Sequence, residues 1–305
     1  MPQTQSKDLR HDLDLTTEEL KQLLDLAHQV KQHPARFSQA LAGRYLSLLF
    51  EKPSLRTRLT FELAIKQLGG DSILNVGPIG EREPIKDVAR NLDRWTNCIV
   101  ARTFLQQTID DLARWSAVPV INALSDLYHP CQALADFLTL QERFGKLKGL
   151  KLAFAGDGNN VAHSLMLTAA RLGTNFTLAH PVGYGPNAEI VTKALELAQS
   201  TGAKITITSD PEEAVRDASA VYTDVWASMG QENEAAERQR VFKPYQVNQD
   251  LFAKAKRDAV FMHCLPAKRN QETTDEVMEL PRSVVFDQAE NRLHAQKALL
   301  LMLLQ

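Results

Sequence analysis

RYLSLLFEKPSLRTRLTFELAIKQLGG, residues 44–70, sets the fold class. Its opening run, RYLSLLF, is apolar and rich in strand-forming residues, so a strand is expected to end near Phe50. Further on the period changes. Phe61, Ala64, Ile65 and Leu68 follow the i, i+3, i+4, i+7 spacing of a buried helical stripe, and Gly69 with Gly70 ends it. A strand passing directly into a helix is the repeating step of a parallel α/β sheet.

The same alternation runs through the whole chain. Strand candidates in a first half are RYLSLLF (44–50), DSILNV (71–76), CIVAR (98–102) and VPVINA (118–123). In a second half they are LKLAFAG (150–156), NFTLAH (175–180), KITIT (204–208), AVYTDVW (220–226), AVFMHCL (259–265) and SVVFD (283–287). Between the halves, residues 131–149 read as a helix with Leu134, Phe137, Leu138 and Phe144 on one side and a stop at Gly145. The expected fold is therefore α/β, with two doubly wound parallel-sheet domains and an interdomain cleft. Residues 1–145 form one domain and 146–288 the other, and the apolar helix 289–305 packs back on the first.

Position fixes the chemistry of the opening helix. Ser54, after Pro53, is the natural N-cap. The backbone N–H groups of residues 55–57, the hydroxyls of Ser54 and Thr57 and the guanidinium of Arg56 then surround one point, which suits phosphate or carboxylate. Arg58 falls on the edge of the buried stripe and reads as a structural ion-pair residue.

Composition excludes several classes. With 305 residues and 44% hydrophobic content, the chain can build about two cores. Lys plus Arg number 35 against 37 Asp plus Glu, and no basic tract suggests nucleic acid or a membrane surface. The polar start lacks an apolar signal core, and no apolar run is long enough to span a bilayer, so a cytoplasmic location is expected. Three scattered cysteines, Cys98, Cys131 and Cys264, do not make a disulfide framework.

Polar residues gather directly after the strand candidates. Ser54 to Thr57, Arg102 and His129 to Gln132 do so in the first half, and GDGNN (156–160), Asp224 and HCLP (263–266) in the second. In a parallel sheet these are carboxyl ends, where open α/β folds bind ligands. GDGNN lacks the third glycine of a dinucleotide fingerprint, with Val161 in its place, which argues against a nicotinamide enzyme. Asn159 and Asn160 offer amides suited to a carboxylate and an amine. His263 and Cys264, adjacent on a strand, are expected on opposite faces, so no metal is assigned to them with His129 and Cys131. There is no nucleophile elbow, and Cys264 has no evident base partner. Anion binding and electrostatic positioning remain.

SLRTR (54–58), HPCQ (129–132), DVWASMG (224–230), HCLP (263–266) and AENRLHAQKA (289–298), in this order, resemble the ornithine carbamoyltransferases. The resemblance implies the reaction of carbamoyl phosphate with L-ornithine to give citrulline and phosphate, without metal or organic cofactor. It also implies a homotrimer with sites at subunit interfaces. Residue by residue, it places Ser54, Leu55, Arg56 and Thr57 on the phosphate and Arg102 and His129 on the carbonyl oxygen. Gln132 and the Leu265 backbone then receive the carbamoyl amino group, Arg292 reaches in from the terminal helix, and Pro130 and Cys131 belong to the same site. Asn160, Asp224, Ser228 and Met229 match the ornithine contacts, with Cys264 beside the δ-amine. The polar run SMGQENEAAERQR (228–240) matches the family's closing loop.

Two positions depart from the family pattern. Leu55 stands where Thr is usual, which matters little if its N–H binds the phosphate. LNVGPIGEREPIKD (74–87) lacks the glutamine that a neighbouring subunit supplies, leaving Glu81, Arg82 or Lys86 as replacements or the contact absent. Putrescine or N-acetylornithine are alternative acceptors, and a non-catalytic binding paralogue is an alternative of another class. The same site chemistry serves arginine synthesis and breakdown.

Overall fold

The computed structural model describes residues 2–52, 54–227 and 232–305. The chain divides into two compact units, Met1–Leu138 with Glu290–Gln305, and Thr139–Ala289.

In the first unit, α1 (Thr17–Gln32) precedes β1 (Tyr45–Phe50), α2 (Leu55–Gln67), β2 (Asp71–Val76), α3 (Ile85–Trp95), β3 (Cys98–Arg102), α4 (Gln106–Trp115) and β4 (Val120–Leu124). α5 (Pro130–Phe144) follows and carries the unit division within it. The sheet is parallel throughout, in the order β2-β1-β3-β4. Leu9 adds a parallel bridge to Ile121 beyond β4. β1 reads as an almost unbroken apolar run because helices cover both faces, and Leu46, Leu48, Leu49 and Phe50 are all buried. Each such side chain contributes about 2 kcal/mol. The stripe on α2 is buried as its period requires: Phe61, Ala64, Ile65 and Leu68 are at most 1% exposed. Gly70 is obligatory at the turn into β2, since a Cβ there would stand 2.4 Å from the Arg44 carbonyl.

The second unit contains β5 (Lys151–Ala155), α6 (Asn160–Leu172), β6 (Asn175–Ala179), α7 (Ala188–Thr201), β7 (Ile205–Thr208), α8 (Pro211–Val215), β8 (Ala220–Thr223), α9 (Ala235–Phe242), α10 (Gln249–Phe252), β9 (Val260–His263) and α11 (Asp275–Met278). Its parallel sheet runs β7-β6-β5-β8-β9. Nearly every residue of α6 is buried, including the polar His163, Ser164 and Thr168, so its apolar positions are not confined to one stripe. SVVFD is not a strand. Ser283 makes one parallel bridge to Phe261, and α12 (Val285–Leu304) then begins. A short apolar run has no period of its own, and here the buried Val284 and Val285 belong to the start of a helix.

Strand order reverses once in each sheet, between β1 and β3 and between β5 and β8. At such a reversal successive loops part to opposite sides and leave a crevice at the carboxyl ends.

Candidate active site

In the first unit the crevice beyond β1 and β3 is lined by cations and hydroxyls. Ser54 takes the extended N-cap conformation of α2, but its hydroxyl does not cap the helix. It accepts instead from Arg102 Nη1 at 3.4 Å, and Thr57 Oγ1 accepts from the same nitrogen at 3.4 Å. Thr57 is buried and also accepts from Arg292 Nη2 at 2.7 Å. Arg292 Nη1 donates to Gln132 Oε1 at 3.1 Å, and Gln132 Nε2 donates to Asp136 at 2.8 Å. One threonine hydroxyl thus gathers guanidinium groups from β3 and α12. Arg56 lies half-buried on the first turn of α2, and Leu55 is exposed.

His129 accepts the first intrahelical bonds of α5 through its carbonyl, and Pro130 follows at the first helical position. The residue is buried, 5% exposed. Burial, reinforced by Arg292 and Arg102, drives its pKa well below the ordinary histidine value. The ring is neutral at neutral pH and keeps an N–H donor without adding charge. The Cys131 side chain takes no part in the cradle: Sγ donates to the Asn122 carbonyl at 3.4 Å, and burial pushes the thiol up to about 12. Arg58 pairs with Glu62 on its own helix at 2.8 Å, an exposed bridge worth a few tenths of a kcal/mol, about 0.3.

In the second unit Asp224, just past β8, is the centre. Its Oδ2 accepts from Asn159 Nδ2 at 2.8 Å; its Oδ1 accepts from the Val225 N–H at 2.8 Å and from Cys264 Sγ at 3.0 Å. Asn159 also caps α6 through Oδ1, which receives the N–H groups of Val161 and Ala162. Asn160, the first residue of α6, is half-buried. Gly158 permits the turn after β5 to meet residues 185–186, where a Cβ would lie 2.2 Å from the Pro186 nitrogen.

The expectation that His263 and Cys264 diverge is corrected. β9 ends at His263, Leu265 turns back with φ +57°, and ligand atoms of Asp224, His263 and Cys264 lie within 4.8 Å of one another. Both ring nitrogens of His263 already have partners. Nδ1 accepts from the Leu265 N–H at 2.9 Å, and Nε2 faces Glu272 Oε1 at 3.3 Å. Ser228 and Met229 lie outside the described residues.

Sequence reasoning did not find Arg238. It is buried on α9 and donates from Nη1 to Asp157 Oδ2 at 2.7 Å and to the Trp226 carbonyl at 2.9 Å, and from Nε to Glu234 at 2.9 Å. Its guanidinium lies 4.9 Å from the centre of the Tyr184 ring.

Two parallel α/β units, one with guanidinium groups and hydroxyls gathered at its strand ends and one with an acidic, amide-lined strand end, make a two-domain α/β protein of the class that binds ligands at the carboxyl ends of its strands. Residues 7–142 match the carbamoyl-phosphate-binding domain of the aspartate/ornithine carbamoyltransferases, and residues 148–303 match the Asp/Orn-binding domain. The chain belongs to the aspartate/ornithine carbamoyltransferase family. It is 50% identical over 292 residues to the ornithine carbamoyltransferase of Thermococcus kodakarensis, covering 94% of this chain and 93% of that one. With the ornithine carbamoyltransferase of Anoxybacillus flavithermus the identity is 50% over 308 residues, covering 99% and 98%. The solved ornithine carbamoyltransferase from Pyrococcus furiosus matches with a TM-score of 0.95 at 47% identity, over 97% of this chain and 96% of that one.

Proposed function

We propose that this protein transfers the carbamoyl group of carbamoyl phosphate to the δ-amine of L-ornithine, giving L-citrulline and phosphate. The observation that carries the reading is the convergence of Arg102 and Arg292 on Thr57 beside a neutral His129. Similarity to ornithine carbamoyltransferases over nearly the whole chain supports ornithine as acceptor.

In this reading Ser54, Leu55, Arg56 and Thr57 hold the phosphate, with Arg292 behind Thr57. Arg102 and His129 donate to the carbonyl oxygen. The neutral δ-amine attacks the carbonyl carbon, forming a C–N bond, and the negative charge moves onto that oxygen. Donors already in place stabilise the charge without reorganising, which is the largest catalytic term available to such a site. The C–O bond to phosphate then breaks, and the proton lost by nitrogen leaves on the phosphate. A neutral imidazole suits this task, since it donates without repelling the two guanidiniums. Gln132 Oε1 has a second lone pair for the carbamoyl amino group. Pro130 and Cys131 carry the turn from His129 to Gln132, and the Leu265 backbone is assigned to the carbamoyl amino group. Asn160 and Asp224, with Ser228 and Met229, take the amino-acid end of ornithine, and Cys264 takes the δ-amine.

The functional unit in this reading is a homotrimer in the cytoplasm. Leu55 at 69%, Ile73 at 63% and Val76 at 57% exposure leave apolar area on α2 and the edge strand β2, which a second copy would cover. Among the described residues no helix is long and apolar enough to cross a membrane.

The test is phosphate release from carbamoyl phosphate with ornithine, N-acetylornithine, putrescine or aspartate supplied separately. Turnover is expected with ornithine; its absence there overturns the reading.

A further inference from the structure

The segments that carry Arg102 and His129 are joined by a buried polar network that none of the assignments above uses. Its centre is Gln106, the first residue of α4. The Gln106 backbone N–H donates to Asp126 Oδ1 at 2.7 Å. Its side-chain Oε1 accepts from the Ser125 hydroxyl at 2.6 Å and from Asn122 Nδ2 at 3.0 Å. Its Nε2 donates to the Arg10 carbonyl and to Asp110 Oδ1, both at 3.3 Å. Ser125 closes the next turn: its N–H donates to the Tyr128 carbonyl at 2.9 Å, and its hydroxyl oxygen accepts from the Tyr128 N–H at 3.2 Å. Asn122 and Ser125 are fully buried, and Gln106 is 7% exposed.

Buried amides and hydroxyls are costly unless satisfied, and once satisfied they hold one geometry. The Ser125–Tyr128 turn runs directly into His129. Gln106 lies just beyond Arg102, and the intervening segment is pinned where the Thr103 N–H donates to the Leu124 carbonyl at 2.9 Å. One side chain therefore sets the loop after β3 against the loop after β4.

We propose that Gln106 and Ser125 are positioning residues for His129, fixing the turn that aims its imidazole at the carbonyl oxygen. The inference rests on the carbamoyl-transfer reading for its catalytic consequence. A misplacement of about 1 Å at a reacting group lowers rates by up to roughly 100-fold, and a turn freed at one anchor can shift that far.

The experiment compares Ser125→Ala and Gln106→Met with the native chain, each verified as folded by circular dichroism. Expected is a fall in kcat of roughly 10- to 100-fold, with KM for ornithine held within about twofold. The double variant should lose less than the sum of the two singles, because both changes break the Ser125–Gln106 hydrogen bond. A second readout does not need turnover: with [2-13C]histidine, the His129 line, assigned through His129→Asn, should broaden or split in both variants. If the native chain does not turn over ornithine, the reaction reading fails and the His129 line alone decides the positioning claim. Unchanged kcat, an unmoved His129 line or simply additive losses overturn the proposal. Should Gln106→Met fail to fold, Ser125→Ala decides by the same two readouts.

Discussion

Thr57 Oγ1 lies 2.7 Å from Arg292 Nη2, although the two residues are 235 positions apart. The contact joins the first turn of α2 to α12 and leaves the hydroxyl between two cations, since Arg102 Nη1 also reaches it. Thr57→Val removes the acceptor and keeps the shape. Both guanidiniums then lose a fixed partner, and kcat/KM for carbamoyl phosphate should fall by about 100-fold, near 3 kcal/mol. Steady-state kinetics checks it, with inorganic phosphate binding by calorimetry as an independent measure. Near-native values in both would remove Thr57 from the cradle.

What could be read from the sequence follows from what is local. The strands of a sheet covered on both faces announce themselves as apolar runs, and the helical stripe of α2 follows from its period, so the architecture was accessible. Ser54 could be placed at the N-cap, but the use of its hydroxyl could not, because Arg102, 48 positions on, competes for it. His263 and Cys264 were read as successive strand residues on opposite faces, a rule that ceases to apply once the chain turns at Leu265. Arg238 and Asp157 are 81 positions apart, and Gln106 and Ser125 are 19 apart. Such pairs exist only after the chain is folded, and neither partner stands out by type or spacing.

The neutral state of His129 has a consequence for pH. Its folded pKa is depressed by burial, Arg292 and Arg102, so the imidazole stays unprotonated well below the ordinary value. The unfolded chain takes up a proton near pH 6.5 that the folded chain refuses, so stability falls as pH drops below about 6.5. His129→Gln should flatten that part of the stability curve, measured by urea unfolding between pH 7.5 and pH 5. In the native enzyme kcat should show no acid limb at the ordinary histidine value. A limb at about 6.5 that disappears in His129→Gln would show that the ring titrates normally.

Asp224 is aligned by two side chains, Asn159 and Cys264. Asn159→Leu should raise KM for ornithine by about 10-fold through loss of that alignment, while KM for carbamoyl phosphate stays within about twofold. The same substitution removes the α6 cap, worth about 1 kcal/mol of stability. Asn159→Ser keeps a capping oxygen but does not reach Asp224 in the same way, so it should recover the stability and leave KM high. Recovery of both together would mean that Asn159 acts only as a cap.

Arg238 and Asp157 form a buried ion pair at 2.7 Å, and breaking one partner leaves the other uncompensated. Burial already pushes the Asp157 carboxyl above its ordinary value, against the pull of Arg238. Arg238→Leu should therefore destabilise the protein by about 3 kcal/mol at neutral pH. The deficit carries its own pH signature. Unfolded Asp ionises above about 3.9, whereas folded Asp157 without its arginine resists ionisation until higher pH, so stability is lost as pH rises through that window. Below it the variant and native proteins should converge, apart from lost packing. Adding Asp157→Asn removes the buried charge and should restore more than half of the lost stability at pH 7. Urea unfolding of the two singles and the double checks the cycle, and a double variant no more stable than Arg238→Leu would show that the uncompensated carboxylate is not the source of the loss, which then lies in packing on Tyr184.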